Sequence, residues 1–103
     1  MSKTIFSALL LACAVLPGMS SASEELAKSK GCLGCHAIDR KIVGPAYKDV
    51  AQKYAGQSDA AAKLAEKVVK GGGGVWGQMP MPANPHVSPE EATKLVQWVL
   101  GLH

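Results

Sequence analysis

The 103-residue chain has few aromatic side chains: two Trp, two Tyr and one Phe. It shows no alternating pattern that would predict a strand, and it has no internal repeat. So short a chain with so few large side chains cannot build a sizeable core unaided, and it needs a staple such as a bound metal or cofactor. The absence of predicted strands favours an all-α fold. It also argues against a thioredoxin-like dithiol, which lies next to a βαβ unit.

The chain also lacks a strong charge of either sign. Eleven basic residues stand against eight acidic ones, a formal net charge of +3. No basic patch alternates with aromatic residues, so the sequence does not predict a nucleic-acid partner. Electrostatic attraction to a partner would have to come from local clusters of charge.

No apolar run is long enough to span a bilayer, but a shorter one lies at the start of the chain. Lys3 precedes an apolar run at residues 5–16, Pro17-Gly18 ends it, and small residues follow up to Ala22. This order is typical of a secretory signal peptide. We therefore expect residues 1–22 to be removed and residues 23–103 to form one domain in the periplasm, without stable membrane insertion.

Cys13 lies inside this leader, in a stretch similar to a bacterial lipoprotein processing site. A lipoprotein anchored through Cys13 is therefore an alternative. However, residues 14–16 continue the apolar run, where a lipoprotein would turn small and polar. We expect Cys13 to be removed with the leader.

The chemistry of the chain centres on Cys32, Cys35 and His36, which form a Cys-x-x-Cys-His motif. Residues three and four apart on a helical turn project to one side, so both sulfurs can reach the two vinyl groups along one haem edge. The imidazole of His36 can then turn under the ring and bind iron as the proximal ligand. The motif predicts one covalently attached haem c.

A Cys-x-x-Cys pair can also be a dithiol redox centre, half of a zinc site or a disulfide. The dithiol lacks its βαβ setting here. A zinc site needs four ligands, and outside the motif only His86 and His103 are available, without the paired spacing of a zinc module. The haem interpretation fits best.

Helical signals cover the rest of the domain. Ser23 is predicted to cap a helix that runs into the motif, and residues 48–54 form a short second helix. Ser58-Asp59 are predicted to cap a third helix, which has favourable Asp59–Lys63 and Glu66–Lys70 pairs and ends at Gly71. Ser88, with proline next and Glu91 three residues later, starts the fourth, whose apolar stripe comprises Ala92, Leu95, Val96, Val99 and Leu102.

The second axial ligand of the iron is expected from the loop before the fourth helix, which contains Met79 and Met81. A thioether favours Fe(II) and raises the reduction potential. The prolines beside these methionines restrict the loop. Methionine often fills a core, but this loop lies outside any helical stripe.

Nearly the whole predicted domain resembles the small bacterial class I cytochromes c of the cytochrome c-551 type. The matching segments are residues 30–39, 43–50, 74–77, 81–82 and 98–100. The resemblance implies about four helices packed around one covalent haem. It also implies that Met81 is the second iron ligand, with Met79 as its internal competitor.

The resemblance further implies that the Pro45 carbonyl accepts a hydrogen bond from His36. Trp76 would bond a haem propionate, and Asn84 would support the methionine sulfur. Core filling is the alternative role of Trp76. The loop from Asn84 to Ser88 is one residue longer than expected, at His86, which we expect to be exposed like His103.

The expected function is that of a soluble, monomeric electron carrier rather than an enzyme. It would pass single electrons by transient contact from a membrane donor complex to a terminal reductase or oxidase, with nitrite reductase among the candidates. Acidic partners could be attracted by Lys28, Lys30, Lys41, Lys48 and Lys53, although each could be only a solvated surface charge. The alternatives are a haem enzyme or gas sensor with a displaceable sixth ligand, and a thiol-disulfide redox protein using Cys32 and Cys35.

Overall fold

The structure is a computed structural model that describes residues 18–103, with side chains from residue 21 onward. This part of the chain contains four α-helices and no strand. The helices are α1 (Gly18–Ser29), α2 (Tyr47–Tyr54), α3 (Ala60–Lys70) and α4 (Pro89–Leu100), and a 3-10 turn at Cys32–Gly34 lies between α1 and α2. The prediction of an all-α fold with four helices is confirmed. Cys13 and most of the predicted leader lie outside the described residues.

The first helix begins earlier than predicted. α1 starts at Gly18, so Ser23 lies inside the helix and does not cap it. The prediction at Ser23 was wrong for the full-length chain because residues 18–22 continue the same helix. None of the helices in residues 18–103 is long and apolar enough to cross a bilayer.

The sequence suggested that α1 runs into the Cys-x-x-Cys-His motif. In the structure the motif is instead a separate element. The helix ends at Ser29, and Gly31 takes a left-handed conformation with φ of 81°. A residue with a Cβ adopts this conformation only at a cost, so glycine allows the sharp change of direction. Cys32 then starts a separate 3-10 turn, and its carbonyl accepts hydrogen bonds from the N–H groups of Cys35 (3.2 Å) and His36 (3.0 Å).

The third helix begins and ends where the sequence predicts. Asp59 is the N-cap residue of α3, but the predicted side-chain cap was wrong. The Asp59 carboxylate makes no cap hydrogen bond, because it pairs with Lys63 at 2.7 Å. The hydrogen bond from Lys63 lowers the pKa of Asp59. The predicted Glu66–Lys70 pair is also present at 3.0 Å, and Gly71 follows the last turn.

Helix α4 is the centre of the fold, since it packs against each of the other three helices. Its start is fixed by the predicted capping box: the Ser88 hydroxyl accepts from the Glu91 N–H, and the Glu91 carboxylate accepts from the Ser88 N–H. Within the helix, the predicted apolar stripe is buried at Ala92, Leu95, Val96 and Val99. Leu102 lies beyond the helix end and is half-buried.

Candidate functional site

A deep, mainly apolar cleft separates the Cys32–Gly34 turn from the loop that connects α3 with α4. The empty space in and in front of the cleft is about 1030 Å³, a figure that includes open solvent. Residues predicted from the sequence that line the cleft are Cys32, Cys35, His36, Pro45, Trp76, Met79 and Met81. The fold thus brings the attachment motif and both candidate methionines to one cavity.

The two cysteines lie at the edge of this cleft, on the 3-10 turn. Cys32 is half-buried and Cys35 is exposed. Burial raises the pKa of the Cys32 thiol. A redox-active dithiol depends on a thiol whose pKa is lowered, so this environment does not favour the thiol-disulfide alternative.

The imidazole of His36 is held by the chain that follows it. Its Nδ1 lies 2.8 Å from the Pro45 carbonyl oxygen. A carbonyl only accepts, so Nδ1 carries the proton and Nε2 is left with a lone pair. This is the tautomer that a metal-binding imidazole needs, with the partner oxygen fixing the ring orientation.

Gly44 and Tyr47 also position His36, a role that no motif in the sequence predicts. The Tyr47 ring stacks on the imidazole at 4.8 Å between centroids, with 19° between the planes. A Cβ on Gly44 would overlap the same imidazole ring. Only the neighbouring Pro45 drew attention to Gly44 in the sequence, and a Gly-Pro pair indicates a turn, not a close contact with a ring 8 residues away in sequence. The need for glycine here is steric.

Tyr47 is in turn fixed by the core. Its ring meets the edge of Trp98 at 5.6 Å and 76°, a favourable aromatic geometry. Burial raises the pKa of the Tyr47 hydroxyl far above its ordinary value, so the side chain is neutral at physiological pH. Tyr47 therefore connects the imidazole to the central helix α4 without bringing a charge into the cleft.

Met81 is anchored by its backbone to the glycine run after α3. The N–H of Met81 donates to the Gly72 carbonyl at 2.7 Å, and the N–H of Gly72 donates back at 3.0 Å. Gly71 has φ of 78°, and a Cβ there would lie 2.8 Å from both the Met81 oxygen and the Ala83 nitrogen. The glycines therefore permit two chain segments to lie side by side.

The two methionines differ in burial. Met81 is half-buried, whereas Met79 is 69% exposed. Met79 also lacks a pair of backbone bonds like the one that Met81 forms with Gly72 among the described contacts. Fixed placement favours Met81 as the residue that presents its sulfur to the cleft.

The hydrogen bonds of Asn84 stabilise the Met81 loop, but they differ from the bond to sulfur that the resemblance implies. Its amide donates to the Val68 carbonyl at 2.8 Å and to the Pro82 carbonyl at 3.2 Å. Both amide hydrogens thus serve backbone oxygens in this structure, in place of the implied bond to sulfur. Asn84 does not line the cleft, and it fastens the loop to α3.

Trp76 lines the cleft and is 39% exposed, so it is not among the buried residues of the core. The Lys53 ammonium lies 5.5 Å from the centre of its ring. A cation at this distance from an indole face is attracted to it. No local signal in the sequence predicts that Lys53, on α2, reaches across to this loop.

Comparison with known proteins agrees with this geometry. The family model described as cytochrome c matches residues 20–103. The chain is 53% identical over 94 residues to cytochrome c-552 of Hydrogenobacter thermophilus, covering 91% of this chain and 95% of that one. It is 60% identical over 77 residues to cytochrome c-551 of Azotobacter vinelandii, covering 75% and 93%.

A solved structure agrees as well. The crystal structure of wild-type Nitrosomonas europaea cytochrome c552 superimposes with a TM-score of 0.76 at 50% identity, and the match covers 78% of this chain and 99% of that one. The predicted small class I cytochrome c fold is therefore confirmed.

Proposed function

We propose that this chain, which belongs to the cytochrome c family, carries single electrons in the periplasm between a membrane donor complex and a terminal reductase or oxidase. Electron transfer is the general role that the family supports. The observation behind the proposal is that one apolar cleft is lined by Cys32, Cys35, His36 and Met81.

Membership of the family implies one covalently bound haem c with its iron. The residues present fit this group, because thiols, an imidazole and a thioether meet at one mainly apolar cleft. Cys32 and Cys35 would hold the ring through thioether bonds, and His36 and Met81 would bind the iron. When bound, the haem supplies an iron that cycles between Fe(III) and Fe(II).

Groups of the protein would set the reduction potential of that iron. The Pro45 carbonyl holds the proton on His36 Nδ1, which orients the ring and strengthens the imidazole as a ligand. The Met81 thioether would favour the reduced iron. With His36 and Met81 both bound, the iron would have no position left for a substrate, which supports an electron carrier over a haem enzyme or gas sensor.

The ligand assignment is tested by replacing each methionine separately with alanine. Oxidised wild-type protein should show the weak far-red absorption band of sulfur bound to haem iron. Met81→Ala should abolish the band and lower the reduction potential, because a soft ligand that favours Fe(II) is lost. Met79→Ala is the matched control and should keep the band. Loss of the band in Met79→Ala alone would reverse the assignment.

Haem attachment has its own test. The spectrum of the denatured protein in alkaline pyridine should show that the haem stays with the chain. Thiols that can still be titrated at Cys32 and Cys35 in the purified periplasmic protein would favour the thiol-disulfide alternative.

Transient contact with acidic partners is the second part of the proposal. Two of the five lysines expected to attract such partners have acidic neighbours: Lys30 pairs with Glu91 at 3.3 Å, and Lys28 lies 3.9 Å from Glu25. Lys41, Lys48 and Lys53 are exposed and remain the better candidates. Rates of electron transfer to the physiological acceptor, with nitrite reductase as one candidate, should fall as salt is raised. A rate independent of salt would refute this role.

A further inference from the structure

A polar cluster connects the haem-attachment segment with the loop that carries Met81. The Lys30 ammonium donates to the His86 carbonyl at 3.2 Å, and His86 Nε2 lies 2.9 Å from the Lys30 carbonyl. Each residue thus bonds the backbone of the other. Lys30 also pairs with Glu91 at 3.3 Å, and Glu91 is part of the capping box of α4.

This cluster joins two segments that both line the cleft. Lys30 lies two residues before Cys32, and His86 lies five residues after Met81. Among the hydrogen bonds of the described residues, the Gly72–Met81 bridge and the bonds of Asn84 to Val68 join the loop to the end of α3. The contact of Lys53 with Trp76 joins it to α2. The Lys30–His86 contact joins the loop to the segment that carries the cysteines.

The neighbouring residues make this contact well defined. Val87, next to His86, is buried, and Ser88 follows as the N-cap of α4. His86 itself is exposed, so its ring is not needed to fill the core. The position of the His86 ring against Lys30 is therefore a matter of hydrogen bonding and not of packing.

We propose that Lys30 and His86 form a latch that holds the Met81 loop closed over the haem, so that the latch sets how easily an added ligand displaces the Met81 sulfur. Both are positioning residues, since they act through Met81. The inference rests on the proposed function, in which Met81 binds the iron. Opening the loop far enough for a competitor breaks the Lys30–His86 bonds, so removing one of them makes displacement easier.

The test is a titration of the oxidised holoprotein with imidazole, followed by loss of the far-red sulfur band. His86→Ala removes the ring bond and keeps the backbone carbonyl that Lys30 uses. It should tighten imidazole binding about two- to tenfold, the range for one net hydrogen bond. His86→Gln can place an amide N–H near the position of Nε2 and should return the affinity to within about twofold of wild type. His103→Ala, at the exposed C-terminus, is the matched control and should leave the affinity unchanged.

A second pair of variants separates the latch from general stability. Lys30→Met removes the ammonium and should tighten imidazole binding, whereas Glu91→Gln keeps the cap and should change it less. Denaturant unfolding is measured beside each titration. Variants that lower the unfolding midpoint but bind imidazole like wild type would overturn the latch, as would equal effects of His86→Ala and His103→Ala. A wild-type protein without the sulfur band would instead refute the ligand assignment itself.

Discussion

Replacing Gly44 by alanine places a methyl group in the space occupied by the His36 imidazole. A Cβ at this position would lie 2.8 Å from Nδ1 and 2.9 Å from Nε2. The ring cannot move away freely, because Tyr47 stacks on it and Nδ1 is bonded to Pro45. The substitution must therefore displace the ring, the backbone or both.

The cost follows from two contributions. Overpacking of a well-filled site costs about 1–3 kcal/mol. Weakening the bond between His36 and Pro45 adds about 0.5–1.5 kcal/mol. A loss of about 2 kcal/mol or more in the free energy of unfolding is expected, which lowers the melting temperature of a domain this small by about 10 °C.

Two properties of the oxidised holoprotein are measured. Thermal unfolding is monitored by the circular dichroism of the helices, and the reduction potential is measured separately. Because the bond to Pro45 strengthens the imidazole as a ligand of Fe(III), its weakening should raise the potential. Gly101→Ala is the matched control, since its φ of −86° suits any residue and a Cβ there makes only ordinary contacts of 3.5 and 3.6 Å, so it should leave both measurements nearly unchanged. A Gly44→Ala protein that melts and titrates like wild type would refute the steric account of His36.

Three further predictions concern α4 and the cleft rim. Ser88→Ala removes the hydroxyl half of the capping box and should cost about 1 kcal/mol in denaturant unfolding, while Ser58→Ala in an exposed turn should cost little. The bond from the Ser88 N–H holds the pKa of Glu91 below its ordinary 4.5, so this stabilisation is present above that pH and is lost as the pH falls through the folded value. Unfolding midpoints measured from about pH 6 to about pH 3 should therefore fall less steeply in Glu91→Gln, and identical slopes would contradict this. Trp76→Phe keeps an aromatic ring near Lys53 but removes the indole N–H; if Trp76 bonds a propionate, the pKa of that propionate should rise and the pH dependence of the reduction potential should shift upward.

Local sequence rules predicted the elements whose signals lie within a few residues. The start of α4 is an example, since Ser88 and Glu91 satisfy each other's backbone across a single turn. The Asp59–Lys63 pair is another. The same rules failed at Ser23, because a serine before acidic residues suits the interior of an exposed helix as well as its start.

Contacts between distant segments could not be predicted from local signals. The break at Gly31 separates α1 from the cysteines, although the apolar spacing across it suggested one helix. The Gly44–His36 contact and the bonds of Asn84 to Val68 depend on how segments pack after the chain has folded. The resemblance pointed to the hydrogen bond between His36 and Pro45, but it gave Asn84 a different partner from the one in this structure.

The walls of the cleft explain how so small a chain can do with few aromatic residues. On α3, Leu64 and Val68 are only half-buried because they face the cleft, and Leu95 and Val99 of α4 line it from the other helix. Each CH₂ group taken out of water contributes about 0.8 kcal/mol, so a macrocycle bound in this cleft would add burial that the side chains alone cannot provide. The haem would then be the largest apolar group of the core as well as the redox centre. Attachment through Cys32 and Cys35, as proposed, would keep the haem with the chain when an added ligand displaces Met81, so that loop opening would be measurable in an otherwise folded protein.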